Sequence, residues 1–192
     1  MTDTPDWQGI HHLALVTDDM DSTVRFYHGV LGARLVSTIG TDTFRHYFFE
    51  FAPGQTVAFF EYRGAAVEHF AKPAGIPDPR AVQFDHLSFR LPDEAALESL
   101  RDRLIAFGCE TTEVVDHDTM RSVYFTDNNG IALEASWWVL DATEGEPDHG
   151  NRRLFADSDP VAAVAEIASG ALSSTPRTSL VDDPTPAPAA SA

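Results

Sequence analysis

An internal repeat limits the fold of this chain more than any other feature of its sequence. Residues 9–63 and 82–138 each contain, in order, a strand pattern, a helical pattern and three further strand patterns. The helical patterns end at Gly32 and Gly108, which are 76 residues apart. The spacing therefore predicts two βαβββ units.

Two such units placed side by side form curved sheets, whose concave face must be filled by side chains or by a ligand. We therefore predict an α+β fold in which two βαβββ repeats form a cupped mixed sheet, within a domain spanning residues 1–140. Residues 141–172 are predicted to form a linker and one short helix, with Asp159 as N-cap and Pro160 at the first helical position. Residues 173–192 are rich in Ser, Thr, Pro and Ala, which predicts a disordered tail.

Composition excludes several classes of function. The 13 Lys and Arg residues against 30 Asp and Glu residues give a net charge of −17, which disfavours nucleic acid as a partner. No apolar run approaches the roughly 18 residues that a membrane helix needs, and the acidic start MTDTPDWQ does not resemble a signal peptide. The single cysteine, Cys109, excludes an internal disulfide. We therefore expect a cytoplasmic protein without a membrane partner.

Three residues of the repeats are candidate metal ligands. His12 and His86 occupy the same position in the first strand of each unit, 74 residues apart, so internal symmetry can bring them to one place. A single histidine in a strand more often has a structural role, but two histidines at equivalent positions of a repeat are better explained by a common function. Glu134 lies in the apolar strand IALEASWW, where a buried, unpaired carboxylate is costly. We therefore predict that His12, His86 and Glu134 bind a divalent metal and that the cupped sheet is formed around this metal site.

The first repeat lacks a carboxylate equivalent to Glu134. The matching position, four residues after Gly54, is Ala58. Glu61 falls on the opposite face of a regular strand and would need a bulge to approach the metal. Two histidines and one carboxylate, with the remaining positions open, form the set associated with non-haem Fe(II) oxygen chemistry. We predict Fe(II), with Mn(II) and Zn(II) as alternatives.

The chain resembles the vicinal oxygen chelate superfamily, which includes glyoxalases, fosfomycin-resistance transferases, bleomycin-binding proteins and extradiol ring-cleaving dioxygenases. The resemblance covers residues 9–138 and rests on the segments IHHLALVTDDMDSTVRFYHGVLG, FDHLSFRL and YFTDNNGIALE. The stretch VDHDTMRSVYFTDNNGIALE is also similar to the extradiol dioxygenase signature, which contains a histidine, a tyrosine, an acidic turn, a glycine and a glutamate. Asn128 stands where the family has proline.

The resemblance implies an Fe(II)-dependent extradiol-type dioxygenase, which uses O2 to cleave a catechol-like aromatic substrate chelated through vicinal oxygens. It implies that Tyr124 hydrogen-bonds a substrate oxygen and that His117 lines the pocket. His69, in the loop between the units, is the candidate acid/base. The alternative for Tyr124 is a core aromatic, and for His117 an exposed loop residue.

Other functions remain open at this stage. One is a glyoxalase-like isomerase or lyase, although the missing carboxylate at Ala58 argues against glyoxalases, which use two. Another is a metal-free small-molecule binding protein of the bleomycin-resistance type, which needs none of the three candidate ligands. Because relatives build the cup within one chain or by exchanging units between two, a homodimer is one of the two expected assemblies.

Overall fold

A computed structural model of the chain describes residues 6–70, 72–80 and 84–172. The chain divides into two compact units, Met1–Gly145 and Glu146–Ala192. In the part of the chain that the structure describes, no helix is long and apolar enough to cross a membrane.

The second unit contains one helix among its described residues, α3 (Ala162–Ser169). Its N-cap is Val161, in an extended conformation, so the helix begins two residues after Pro160, where the sequence pattern predicted its start. Gly170 ends the helix with a positive φ of 70°. The predicted tail at 173–192 lies outside the described residues.

The first unit contains two βαβββ repeats, which confirms the predicted α+β fold. The helices are α1 (Met20–Val24) and α2 (Glu94–Ala106), and the strands are β1 (His12–Val16), β2 (Arg34–Gly40), β3 (Phe44–Ala52), β4 (Gln55–Tyr62), β5 (Leu87–Arg90), β6 (Val115–Asp116), β7 (Met120–Thr126) and β8 (Ala132–Trp138). Each repeat forms its own four-stranded sheet, in the orders β1-β4-β3-β2 and β5-β8-β7-β6. In both sheets the first strand runs parallel to the last, and the other neighbours are antiparallel.

The two repeats have the same helix caps and the same glycine turns at equivalent positions. Asp19 caps α1 by accepting a hydrogen bond from the Ser22 N–H at 3.0 Å, and Asp93 caps α2 by accepting one from the Ala96 N–H at 2.8 Å. Glycines with φ between 74° and 79° follow both helices and turn both last hairpins: Gly32, Gly54, Gly108 and Gly130. The repeat seen in the sequence is therefore a repeat of backbone conformation as well.

The first helix departs from the regular helix that the sequence predicted. After α1, residues Arg25–Val30 continue as a π-helix, in which the Leu31 N–H donates to the Phe26 carbonyl five residues earlier, at 3.0 Å. Tyr27 in this segment is fully buried, and its hydroxyl donates to Asp127 Oδ2 at 3.0 Å. Burial and the Asp127 carboxylate raise the pKa of Tyr27 well above its ordinary value. This contact joins the first repeat to the turn before β8.

The turn before β8 is organised by Asp127. Its Oδ1 accepts hydrogen bonds from the N–H groups of Asn129 and Ile131, each at 2.8 Å. Asn128, the departure from the family pattern, donates through its side chain to Thr23 of the first repeat at 3.1 Å. A proline could not make that side-chain contact, so this chain uses the position to join its repeats.

Both repeats share one hydrophobic core, formed by the helices and by one face of each sheet. Its fully buried members are Tyr27, Phe49, Phe59, Leu97, Leu104, Val123, Leu133 and Ala135. Because side chains alternate along a strand, Phe59 and His12 lie on opposite faces of the first sheet, as do Leu133 and Glu134 in the second. His12 and Glu134 therefore lie on the sheet faces that point away from the core.

Candidate metal centre

The second sheet brings His86 and Glu134 together. His86 directly precedes β5, and Glu134 lies on the neighbouring β8, opposite Ser88. Nε2 of His86 is 3.0 Å from Oε2 of Glu134. Glu134 is only 3% exposed, and its Oε1 is buried without a hydrogen-bond partner among the described residues. A carboxylate with an unpaired buried oxygen, beside a histidine nitrogen, is a donor pair that fits a divalent cation.

Hydroxyl groups surround this carboxylate. Burial alone raises the pKa of Glu134, but the nearby hydroxyls of Ser122, Tyr124, Ser88 and Ser136 outweigh burial and hold its pKa below the ordinary value. The serine hydroxyls also contact one another, at 2.7 Å between Ser88 and Ser136 and 3.2 Å between Ser122 and Ser136. Glu134 is therefore ionised at neutral pH, which is the form that binds a cation.

Tyr124 and His117 lie beside the same pair. Tyr124 is on β7, directly opposite Glu134, and its ring centroid is 6.1 Å from that of His86. Nε2 of His117 is 2.9 Å from the Tyr124 hydroxyl. The structure therefore groups four of the residues predicted from sequence: His86, Glu134, Tyr124 and His117.

Tyr124 is expected to stay a neutral phenol until strongly alkaline pH. Burial and the adjacent Glu134 carboxylate raise its pKa to about 12. Glu134→Gln removes the negative charge, so the titration midpoint should fall toward the ordinary value of about 10. NMR titration of protein with ¹³C-labelled tyrosine measures this midpoint, and Tyr124→Phe identifies the resonance. An unchanged midpoint in Glu134→Gln would show that the carboxylate does not act on this phenol.

His12 lies on the first sheet, outside this group. Its Nδ1 is 2.8 Å from Nδ1 of His11, and its ring makes an edge contact with Phe48 at a centroid distance of 5.6 Å. Within the described ranges, no three His, Cys, Asp or Glu side chains are placed to hold one metal ion. In this structure His12 is therefore separate from His86 and Glu134.

The first repeat offers no carboxylate on the His12 face at the position matching Glu134. Ala58 is fully buried there and pairs with Phe48 of β3. Glu61 lies on the opposite face, where it forms an ion pair with Arg45 and accepts a hydrogen bond from the Met20 N–H at 3.3 Å. These contacts hold Glu61 away from the face that carries His12.

His69 contacts a different part of the unit. Its Nδ1 is 3.0 Å from the carbonyl oxygen of Asn129, and its Nε2 is 2.9 Å from Oδ1 of Asp18. The bonds to Asn129 and Asp18 raise the pKa of His69. Both ring nitrogens are engaged, so in this structure His69 joins the loop between the repeats to the turn before β8. Its predicted acid/base role stays a prediction.

His46 lies on the His12 face and was not singled out from the sequence. It is 8% exposed, its ring stacks on Phe60 at 3.6 Å, and its Nε2 is buried without a partner among the described residues. Burial, with a smaller contribution from His12, lowers the pKa of His46, so the imidazole is neutral at pH 7. Its alternation with Phe44 and Phe48 was a sequence signal, but its neighbours depend on the strand register.

A cavity of about 300 Å³ lies next to the candidate centre. One of its lining residues, Ala132, shares a sheet face with Glu134, and another, Asp85, directly precedes His86. The volume is at the lower end of the range for small-molecule sites. Its larger apolar walls are Val16, Val67, Phe70, Phe84 and Ile131. Its three charged lining residues are Glu68, Lys72 and Asp85.

The two repeats also match known proteins. A domain of the glyoxylase/bleomycin resistance protein/dioxygenase type from Frankia sp. EAN1pec is 25% identical, covers 69% of this chain and 99% of its own, and has a TM-score of 0.60. Lactoylglutathione lyase from Agrobacterium tumefaciens is 24% identical over 69% of this chain and 96% of its own, with a TM-score of 0.52. A mutant of the fosfomycin resistance protein FosX from Listeria monocytogenes, complexed with Mn(II) and 1S,2S-dihydroxypropylphosphonic acid, is 18% identical over 67% of this chain and 91% of its own, with a TM-score of 0.50.

The lyase and FosX likenesses show the fold alone. The family model of the Glyoxalase/Bleomycin resistance protein/Dioxygenase superfamily matches residues 9–135, a segment that contains all eight strands up to Ala135. Since this match spans both repeats and the grouped residues from His86 to Glu134, the chain belongs to the glyoxalase/bleomycin resistance protein/dioxygenase superfamily.

Proposed function

We propose that this chain is a metal-dependent enzyme of the extradiol dioxygenase type, which cleaves a catechol-like ring held through two adjacent oxygens. One observation carries the proposal: His117 is in hydrogen-bonding contact with Tyr124, next to the His86–Glu134 pair. His117 is the residue that distinguishes the dioxygenase signature from related Tyr-to-Glu segments. Its contact with Tyr124 supports ring cleavage over isomerase, lyase or metal-free binding functions.

The metal in this proposal is Fe(II). His12, His86 and Glu134 would hold it, and when bound it would supply Lewis acidity and open positions for the substrate and O2. Glu134 contributes a negative charge, because the hydroxyls of the neighbouring serines keep its carboxyl group ionised. Tyr124, with a pKa of about 12, keeps its proton and donates it in a hydrogen bond to a substrate oxygen. His117 orients that hydroxyl from 2.9 Å away.

A second copy of the chain completes the proposed centre. His12 is exposed on a face that also carries exposed apolar side chains, Val16 at 43% and Tyr62 at 38%. β1 and β5 are edge strands of their sheets, and both ligand-bearing faces point away from the shared core. A two-fold dimer with β1 of one copy beside β5 of the other would bring His12 to His86 and Glu134 twice.

The face that carries His12 suits a flat aromatic substrate. The ring of His46 stacks on Phe60, and Phe60 lies parallel to Tyr62 at a centroid distance of 5.4 Å and an angle of 2°. In the proposed dimer these rings would form the wall opposite Tyr124. Aromatic rings stack on such walls in offset or edge-on arrangements.

The proposed function is tested by loading the purified protein with Fe(II) without oxygen, measuring bound metal by mass spectrometry, and then admitting air with a panel of catechols. We expect stoichiometric iron, O2 uptake and a yellow ring-cleavage product. His117→Ala should keep the metal but lower kcat by about 100-fold or more. His149→Ala, which changes an exposed histidine of the second unit, should behave as wild type.

Two results would contradict this function. A protein whose thermal stability does not respond to Fe(II), Mn(II) or Zn(II) would rule out every metal-dependent version and leave metal-free binding. A protein that binds metal stoichiometrically but takes up no O2 with any catechol would favour an isomerase or lyase of the same superfamily.

A further inference from the structure

Asp85 contacts His86 on the side away from Glu134. Oδ1 of Asp85 is 2.6 Å from Nδ1 of His86, whereas Nε2 of His86 faces Glu134 at 3.0 Å. The imidazole is therefore held between two carboxylates, with one on each ring nitrogen. A histidine can donate to both only when both nitrogens carry protons.

Asp85 is itself fixed by the loop between the repeats. Lys72 Nζ donates to Oδ2 of Asp85 at 2.5 Å, and the Gly75 N–H donates to Oδ1 at 2.8 Å. The Lys72 side chain is 10% exposed, so it is packed against the unit. Lys72 and Gly75 therefore hold the Asp85 carboxylate in place, so its orientation does not depend on His86 alone.

We propose that Asp85 is a positioning residue for His86. Asp85 accepts a hydrogen bond from the Nδ1–H of His86 and so leaves Nε2 of His86 as the ligating nitrogen. This inference rests on the proposed function, since it takes His86 as a metal ligand. A carboxylate on the distant nitrogen of a metal-bound histidine fixes the ring orientation and the tautomer and makes the ligating nitrogen more basic. When Nε2 of His86 binds a cation it carries no proton, and the Nδ1–H of His86 would remain donated to Asp85.

The same contacts connect the inter-repeat loop to the candidate centre. Lys72 and Asp85 line the cavity of about 300 Å³ and form an ion pair, and Asp85 also contacts His86. Lys72→Met should loosen Asp85 without removing its contact with Gly75. Its effect on metal affinity should therefore be smaller than that of replacing Asp85.

Metal titration of the full-length, metal-free protein with Mn²⁺ tests this role by calorimetry. Asp85→Ala should weaken Mn²⁺ binding by about 10- to 100-fold. Asp85→Asn should have a smaller effect, because its amide oxygen still accepts the Nδ1 proton, and it provides the measurement if the alanine variant does not fold. Asp102→Ala, which removes an exposed carboxylate of α2, is the charge control and should bind as wild type.

A second measurement reports on the proton itself. In Zn²⁺-loaded, ¹⁵N-histidine-labelled protein, the Nδ1–H resonance of His86 should be protected from exchange in the wild type and in Asp102→Ala. In Asp85→Ala this resonance should be lost to exchange. A residue that only supported the loop would leave it unchanged.

The outcomes separate this inference from the proposed function. If both Asp85 variants bind Mn²⁺ as wild type and keep the Nδ1–H resonance, while His86→Ala loses Mn²⁺, the positioning role is wrong and the centre stands. If His86→Ala binds Mn²⁺ as wild type, the centre itself is wrong. If Mn²⁺ binding is weakened equally in Asp85→Ala and Asp102→Ala, the effect is due to net charge and the positioning role is wrong.

Discussion

Replacing Glu134 with alanine is expected to abolish stoichiometric metal binding and, with it, turnover. Glu134 is the only carboxylate of the predicted ligand set, and its buried Oε1 has no partner among the described residues. The loss should exceed the roughly 100-fold upper range for outer partners of a metal site. Metal analysis by mass spectrometry and Mn²⁺ calorimetry measure it directly.

The matched control for this variant is Glu61→Gln. Glu61 is the nearest carboxylate to the equivalent place in the first repeat, but it lies on the core side of its sheet and pairs with Arg45. This substitution should leave metal binding unchanged. Full metal retention in Glu134→Ala would show that the ligand assignment is wrong.

A 1:1 mixture of His12→Ala and Glu134→Ala chains is expected to regain metal binding that neither variant has alone. In the proposed dimer each centre takes His12 from one copy and Glu134 from the other. A mixed dimer therefore has one centre with both residues replaced and one intact centre. Random assortment should restore about a quarter of the wild-type sites, because about half of the dimers are mixed.

Subunit exchange followed by purification on two different affinity tags isolates the mixed dimers for this measurement. The control mixes His86→Ala with Glu134→Ala, and it should regain nothing because both residues come from the same copy in each centre. If the His12→Ala and Glu134→Ala mixture forms dimers but binds no metal, the shared centre is wrong and the ligands must meet within one chain.

The sequence predicted the repeated architecture because the spacing of glycines and histidines is visible without any long-range contact. Gly32 and Gly108 adopt nearly the same φ, 78° and 79°, so equal spacing does correspond to equal backbone conformation. Strand alternation also placed Glu134 away from the apolar side chains on either side of it. These features depend on local rules, which one sequence can supply.

Other parts of the site depend on packing that the sequence does not encode locally. The neighbours of His46 depend on the register of β3 against β4, where His46 pairs with Phe60. The contact between Asp85 and Lys72 depends on how the inter-repeat loop folds back. Likewise, the outward direction of both ligand-bearing faces follows from a core shared by the two repeats, which periodicity alone cannot reveal.

The contact between the Tyr27 hydroxyl and Asp127 has a consequence for folding cooperativity. Asp127 organises the turn that leads into the strand of Glu134, and Tyr27 belongs to the first repeat. Breaking the contact would leave the buried Tyr27 hydroxyl without its carboxylate partner and remove one of the hydrogen bonds to the buried Asp127, and losing a hydrogen bond to a charged group is costly. Unfolding one repeat while the other stays folded therefore costs the free energy of this contact. We expect thermal fluctuations that disorder the first repeat to disorder also the strand that positions Glu134.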